Sequence, residues 1–256
     1  MTKRQTYLRK WAAGCALALL TAPLAHSAGT GQLGILDTSG TNPNTGLEWE
    51  IGDQYRLVFI SSTSVNPNDN AMDGMAAWNS AVQAIADTAG LGSVTWNIIG
   101  STVDVDAQDN TSTNPTLDGT GHAIMAMDGS SVIENNFTDL WDVNAPVNIA
   151  LFDENGVDKD TSTAVDWPLT GTNFDGTADG SLYLQDTSVS GTIRQGRNDA
   201  VEKAGWIDAD TVGANWSDNK ASSVYGMSDT LTVVPEASSA LLIGLGGLVL
   251  LRRRRR

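Results

Sequence analysis

The clearest hydrophobic pattern in this chain is an unbroken one. Gln54-Tyr55-Arg56-Leu57-Val58-Phe59-Ile60 is a run of β-branched and aromatic residues with almost no polar alternation. A strand with one wet face alternates, whereas a strand covered on both faces does not. The pattern therefore predicts a central strand over 54–60, buried on both sides. After the polar loop Ser61–Asn70, apolar positions recur at steps of three and four, at Met75, Trp78, Val82, Ile85 and Ala89. That spacing puts them on one side of a helix over about 71–89, with N-cap candidates at Asn68–Asn70 and Gly90 placed as a left-handed C′ residue. Val94, Trp96 and Ile98 alternate like a half-buried strand, and Val103-Asp104-Val105 reads as its continuation.

Beyond Asp106 the periodicity weakens. Asp106–Pro146 reads as loop-rich, with the apolar patch Ala123–Met127 as a short strand. Val147–Phe152 predicts another strand, running into a turn at Asp153-Glu154-Asn155-Gly156. A second turn cluster spans Gly171–Thr177, and Ala200–Trp206 reads as a short helical piece. Ser222–Val234 alternates loosely and fits a closing strand beside the first. Strands outnumber the one long helix, so the expected class is α+β, with a small antiparallel sheet, one main helix and long loops.

Both ends depart from this pattern. Lys3, Arg4, Arg9 and Lys10 precede the apolar run Trp11–Leu20, and small residues follow near Ala25-His26-Ser27. That is the layout of a secretory signal peptide over 1–27, which leaves an exported domain over 28–233. Ala12-Ala13-Gly14-Cys15 looks like a lipobox, but it precedes most of the apolar run and reads as part of the leader. Over 234–256, Val234, Pro235 and Glu236 are followed by the uncharged stretch Ala237–Leu251 and then by Arg252, Arg253, Arg254, Arg255 and Arg256. As a helix, the 15 uncharged residues would reach roughly 22 Å, short of the ~30 Å hydrocarbon core, and the arginines would stay cytoplasmic as a stop. This order of motif, short membrane segment and basic tail resembles the PEP-CTERM signal of exported proteins of Gram-negative bacteria. The usual Pro-Glu-Pro reads Pro235-Glu236-Ala237 here. The resemblance implies an exosortase-type partner, a transient inner-membrane anchor, and delivery to the cell surface or outside. The competing reading is an ordinary tail anchor.

Composition narrows the chemistry of the exported domain. It carries 29 acidic residues against six basic ones, Arg56, Lys159, Arg194, Arg197, Lys203 and Lys220, a net charge of −23. Such a surface repels nucleic acid and anionic lipid, and it attracts divalent cations. Cys15 is the only cysteine, so the exported domain lacks disulfides, thiolate metal sites and a cysteine nucleophile. One histidine, His122, is too few for a usual zinc site. A Ser-His-Asp triad with His122 and Asp118 is arithmetically possible, but no Gly-x-Ser-x-Gly elbow accompanies it, and His122 reads as a loop histidine. Walker and dinucleotide fingerprints are missing. Carboxylate clusters suit Ca²⁺ instead, the one cofactor expectation. The first is Asp104, Asp106 and Asp109; an extended chain over 103–107 would set Asp104 and Asp106 on one face. The second is Asp153, Asp158 and Asp160, with Glu154 and Asn155. Gly156 follows Asp153 too soon for an EF-hand loop. Each cluster reads first as a solvated acidic loop and only second as a metal site.

A second resemblance lies in the domain. Asp53–Thr63 precedes a helix, and Ala89-Gly90-Leu91-Gly92 leads into a Trp-containing strand. Trp167–Thr177, Gly205-Trp206-Ile207 and Tyr225-Gly226-Met227-Ser228 follow. These segments are similar to exported bacterial domains that end in the same sorting signal and, more distantly, to domains with a C-type-lectin-like fold of the endostatin type. The resemblance implies no enzymatic activity. The calcium sugar loop of C-type lectins, Glu-Pro-Asn or Gln-Pro-Asp with Trp-Asn-Asp, is not matched by Gln185-Asp186 and Trp216-Ser217-Asp218. Of tryptophans 49, 78, 96, 141, 167, 206 and 216, Trp78 and Trp96 have core spacing and most of the rest read as packed too, although an indole is able to stack on a sugar. The expected function is a non-enzymatic exported surface or matrix protein associated with extracellular polysaccharide. The alternative is a secreted polysaccharide-acting hydrolase using a carboxylate pair, which 29 acids do not single out.

Overall fold

The structure is a computed structural model that describes residues 29–67, 72–149, 152–159, 166–180, 182–184, 193–198, 205–209 and 221–236. The segment 1–27 read as a signal peptide, Asp160, Gln185-Asp186, most of the helical piece read at 200–206, Trp216–Asp218 and the tail from Ala237 to Arg256 lie outside the described residues. Gly29–Val234 forms one compact unit; Met1–Ala28 with Pro235–Arg256 forms another, of which only Pro235 and Glu236 are described.

The first unit is built on one mixed, mostly antiparallel sheet of seven strands with few helices. In chain order these are β1 (Gly29–Gly31), β2 (Gln54–Ile60), α1 (Gly74–Thr88), β3 (Trp96–Ile98), α2 (Ala107–Asn110), β4 (Ala123–Ala126), β5 (Val132–Glu134), α3 (Phe137–Leu140), β6 (Tyr225–Ser228) and β7 (Leu231–Pro235). β2 is central, as its unbroken apolar run predicts. β4 lies parallel to it on one side, with Tyr55 opposite Ala123. On the other side β6 and β7 run antiparallel along its two halves. β5 extends the sheet beyond β4, β3 pairs with β6, and β1 lies beside β7.

The two faces of β2 meet different layers. Tyr55, Leu57 and Phe59 join Ala123, Met125, Leu231 and Val233 beneath α1, which contributes Met75, Trp78, Val82 and Ala86. Ile85 packs at the margin of this cluster. Val58 and Ile60 join Ile124, Ile133, Tyr225 and Met227 beneath a layer of short helices and loops carrying Ala107, Phe137, Leu140, Trp141, Trp206 and Ile207. Burial of aromatic and aliphatic side chains on both sides is the main stabilising contribution.

α1 starts at Gly74, three residues later than the pattern predicts, and it ends where the glycine places it. Gly90 has φ +81°, and the amides of Gly90 and Leu91 return to the carbonyls of Asp87 and Ala86. That pairing satisfies the last carbonyls of the helix, and only glycine enters the left-handed region without steric cost. Amide side chains then seal the edge of β3. Gln83 Oε1 accepts from Trp96 N at 2.8 Å, and Asn79 Oδ1 accepts from Ile98 N at 3.0 Å. Asn110 Nδ2 donates to Ile98 O at 2.8 Å and pairs reciprocally with the amide of Asn79. An edge whose outward groups are already bonded offers little to a further strand.

Three expectations differ. The chain bends at 103–104 instead of extending β3, because Thr102 N bonds Val105 O and closes a turn. Val147–Phe152 is not a strand as far as it is described. Val147 N and the Asn148 side chain bond the outer carbonyls of β5, while Phe152 makes a single bridge to Asp158. The closing strand over 222–234 is divided into β6 and β7. Val58 faces Met227 whereas Tyr55 faces Leu231, so one extra residue is inserted between them, a β-bulge opposite Arg56.

Candidate functional site

That bulge has a counterpart across the sheet. Met125 faces Val132 but Ile124 faces Glu134, so β5 also carries one extra residue. The two irregularities flank a single row, Arg56–Ile124–Glu134, on the face covered by α3. Bulges turn side chains out of the regular alternation. Here they accompany two buried ionisable residues, Arg56 inside β2 and Glu134 at the end of β5.

Arg56 is 5% exposed. Its Nη1 donates to Ser228 O at 2.9 Å, in the first bulge, and its Nη2 donates to Ser112 O at 3.2 Å. Ser228 Oγ accepts from Leu57 N at 3.0 Å, so the bulge is bonded on both sides. The guanidinium lies 5.3 Å from the centre of the Phe137 ring, and Nε has no partner. Burial pulls Arg56 below its ordinary value, and Asp229 and Asp118 oppose this. His122 meets Phe137 edge-on at 5.9 Å. Burial and the Arg56 charge both lower its pKa, which favours the neutral imidazole. No described residue joins His122 into a triad. Gly121 has φ +67°, and a Cβ there would enter the Phe137 ring, so glycine is required beside the histidine.

Glu134 is 4% exposed, and among the described residues no hydrogen bond to its carboxyl is seen. Burial, followed by the charges of Asp139 and Asp142, pushes its pKa up to about 9. A carboxyl that stays protonated at neutral pH is able to donate a proton. α3 holds these groups in place. Asn136 Oδ1 caps it by accepting from Thr138 N at 2.8 Å and Asp139 N at 3.0 Å. The Asp139 carboxylate accepts in turn from Asn135 Nδ2 at 2.9 Å and Asn136 Nδ2 at 3.1 Å. Sequence reasoning missed this row. The available signal was a charge inside an apolar run: Arg56 between Tyr55 and Leu57, and Glu134 after Val132-Ile133.

The residues proposed for a metal are dispersed among turns. Asp104 is exposed in a bend and does not share a strand face with Asp106. Asp106 precedes α2, and its Oδ1 accepts from Ala178 N at 2.7 Å. Asp109 accepts from Asn114 Nδ2 at 2.7 Å. Asp153 Oδ1 accepts from Asn155 N at 2.8 Å and Val157 N at 3.0 Å, which forms the turn. Glu154 is buried and clamps both the amide and the hydroxyl of Ser62. Asp158 is exposed. Among the described residues no three histidine, cysteine or acidic side chains are grouped to hold a metal ion.

Many other acids do the same work. Asp37, Asp128, Asp142 and Asp175 each accept the amide two residues ahead. These are Asx turns, in which a short carboxylate replaces a backbone carbonyl. Bonds from Ser39 lower the Asp37 pKa. At Asp128 burial acts upward, and four bonds from Ser131 and Ser130 outweigh it. A separate clamp ties the later loops, where Arg194 pairs with both Asp179 and Asp208. Burial acts to lower the Arg194 pKa, and the two carboxylates reverse it.

Of the residues read as a sorting motif, Val234 and Pro235 end β7 and Glu236 follows it. No described helix is long and apolar enough to cross a membrane. A shallow polar depression of about 360 Å³ lies against Gln83, Asp87 and Gly92–Thr95, away from the Arg56–Glu134 row. No protein-family model matches the chain, and no characterised protein matches its sequence.

Proposed function

We propose that this is a non-enzymatic exported protein of the cell surface or extracellular matrix, delivered by a PEP-CTERM-type signal. In this reading its acidic domain is C-type-lectin-like and associates with extracellular polysaccharide. The observation that carries it is the order of Val234-Pro235-Glu236, the uncharged stretch Ala237–Leu251 and Arg252–Arg256, behind a leader with a basic start and an apolar centre. Support comes from the domain's long loops, ordered by Asx turns around a small sheet, since polar loops on a rigid scaffold are where binding surfaces form. The test is to replace Arg252–Arg256 with serine and fractionate the cells. Loss of membrane retention and of processing near Pro235-Glu236 is expected. Retention and processing unchanged from the wild type would overturn the reading.

A second reading, a polysaccharide hydrolase working through a carboxylate pair, is favoured by one observation. Glu134 has the raised pKa of a general acid and lies near the charges of Asp139 and Asp142. Release of reducing ends from polysaccharide by the wild type, abolished in Glu134→Gln, would replace the first reading with this one.

A further inference from the structure

β7 leaves no spacer between the sheet and the motif read as a sorting signal, since Val234 and Pro235 are its last two residues. The strand is bonded along both edges. On one, Val233 N donates to Asp53 O and Gly52 N donates to Val233 O, each at 2.9 Å. The turn that supplies these groups is itself braced, because Asp53 Oδ2 accepts from Asn42 Nδ2 and from Glu50 N, both at 2.9 Å. On the other edge, Gln32 N donates to Thr232 O at 3.1 Å, and Thr232 N donates to Gln32 Oε1 at 3.3 Å. β1 lies so close that a Cβ on Gly29 would come within 2.6 Å of Val233 Cγ1 and 3.7 Å of Val234 O. Thr38 Oγ1 donates to Gly29 O at 2.7 Å and ties β1 to the loop that follows it. Leu231 and Val233 are fully buried in the cluster beneath α1.

A partner that reads an extended motif adds it to itself as a strand, through main-chain bonds on both sides of the motif. Here the residues upstream of Pro235 already hold their partners in the sheet. Backbone groups bonded to Gly52, Asp53 and Gln32 are not open to a second strand. Gripping Thr232–Pro235 requires β7 to leave, which breaks these hydrogen bonds and exposes Leu231 and Val233.

We infer that the sheet controls access to this motif: the processing partner takes Thr232–Glu236 as an unpaired, extended segment, and β7 closed between β1 and the turn at 50–53 withholds it. The inference rests on the sorting reading above and adds the segment for which partner and sheet compete. Processing passes through a local opening in which β7 peels from its neighbours. β1 is an edge strand of three residues, and short terminal elements open at a smaller free energy than the whole sheet.

The test follows shortening of the full chain, by pulse-labelling and mass, in cells that carry out the processing. Three variants are compared with the wild type. Gly29→Cys with Val233→Cys locks β1 to β7, at positions already near disulfide separation. Cys15, the only other cysteine, lies in the segment read as the leader. An insertion of about 12 Gly and Ser residues between Val234 and Pro235 reaches roughly 19 Å and carries the motif clear of the sheet. The third variant combines the two. The locked chain is shortened about tenfold more slowly than the wild type and recovers in dithiothreitol. The linker chain is shortened faster than the wild type, and the combined chain behaves like the linker chain. Equal rates for the wild type and the locked chain, with the disulfide confirmed by mass, would overturn the inference while the sorting reading stands. A linker chain no faster than the wild type, or a combined chain as slow as the locked one, would overturn it too, since the seam would not be what withholds the motif. Shortening of none of the four chains would remove the sorting reading as well.

Discussion

The two faces of the central sheet are covered in different ways. On one, a single long helix lays Met75, Trp78, Val82 and Ala86 over Tyr55, Leu57 and Phe59, and the contact is apolar. On the other, α2, α3 and irregular chain cover Val58, Ile60 and Ile124, and the layer includes a buried arginine and a buried glutamate. The first face is a stabilising core. The second also holds ionisable groups that oppose stability unless they are bonded or neutral. A fold can place its chemistry on one side because the other side anchors the sheet.

The largest test of this contrast is Trp78→Ala. Trp78 is fully buried on the inner face of α1, and truncating it should cost about 3–5 kcal/mol in urea unfolding. A loss below about 1 kcal/mol would show that the helix is not the anchor.

Glu134→Gln should act in the opposite direction. The folded pKa of Glu134, about 9, lies above its ordinary value of 4.5, so the folded state holds the proton more tightly. Its contribution is fully present below pH 4.5 and is lost as pH rises toward 9. At about 1.4 kcal/mol per pH unit, the glutamine variant should be the more stable at pH 7 by up to about 3 kcal/mol. Its melting temperature should also fall less between pH 5 and 9 than that of the wild type. Parallel pH profiles would mean that Glu134 is solvated and that the second face is as inert as the first.

Asn79→Ala probes how the α1 side seals its edge. It takes away the acceptor of Ile98 N and the donor to Asn110 Oδ1, and should cost about 2 kcal/mol. Faster exchange of the Ile98 amide should accompany it. Protection equal to the wild type would show that the amide ladder is not what holds β3.

The smallest effect is expected at Gly90→Ala. A side chain at φ +81° should cost about 1 kcal/mol. A neutral result would mean that the end of α1 relaxes into another turn.

The first face was legible in the sequence, and the second was not. Trp78 and Val82 announce themselves by spacing, Gly90 by its place after the last apolar position, and 54–60 by the lack of alternation. Helix and strand periods are local, so a few consecutive residues carry them. Asp106–Pro146 showed no period because α2, β4, β5 and α3 are each only three or four residues long. The acid clusters at Asp104–Asp109 and Asp153–Asp158 were visible as composition, but composition does not separate a metal ligand from an Asx turn. That distinction depends on which amide each oxygen meets.

The sequence by itself determined the central strand, the long helix and its stop, and that Cys15 is the single cysteine. It also determined the order of motif, apolar stretch and arginines at its end. Tertiary structure decided that Arg56, Ile124 and Glu134 share a row, since their pairing joins segments far apart in the chain through two one-residue shifts of register. It decided as well that Glu134 is held neutral and that Trp167, alone among the described tryptophans, keeps a side toward solvent. Burial is a property of what covers a residue, and here the cover comes from distant, aperiodic chain.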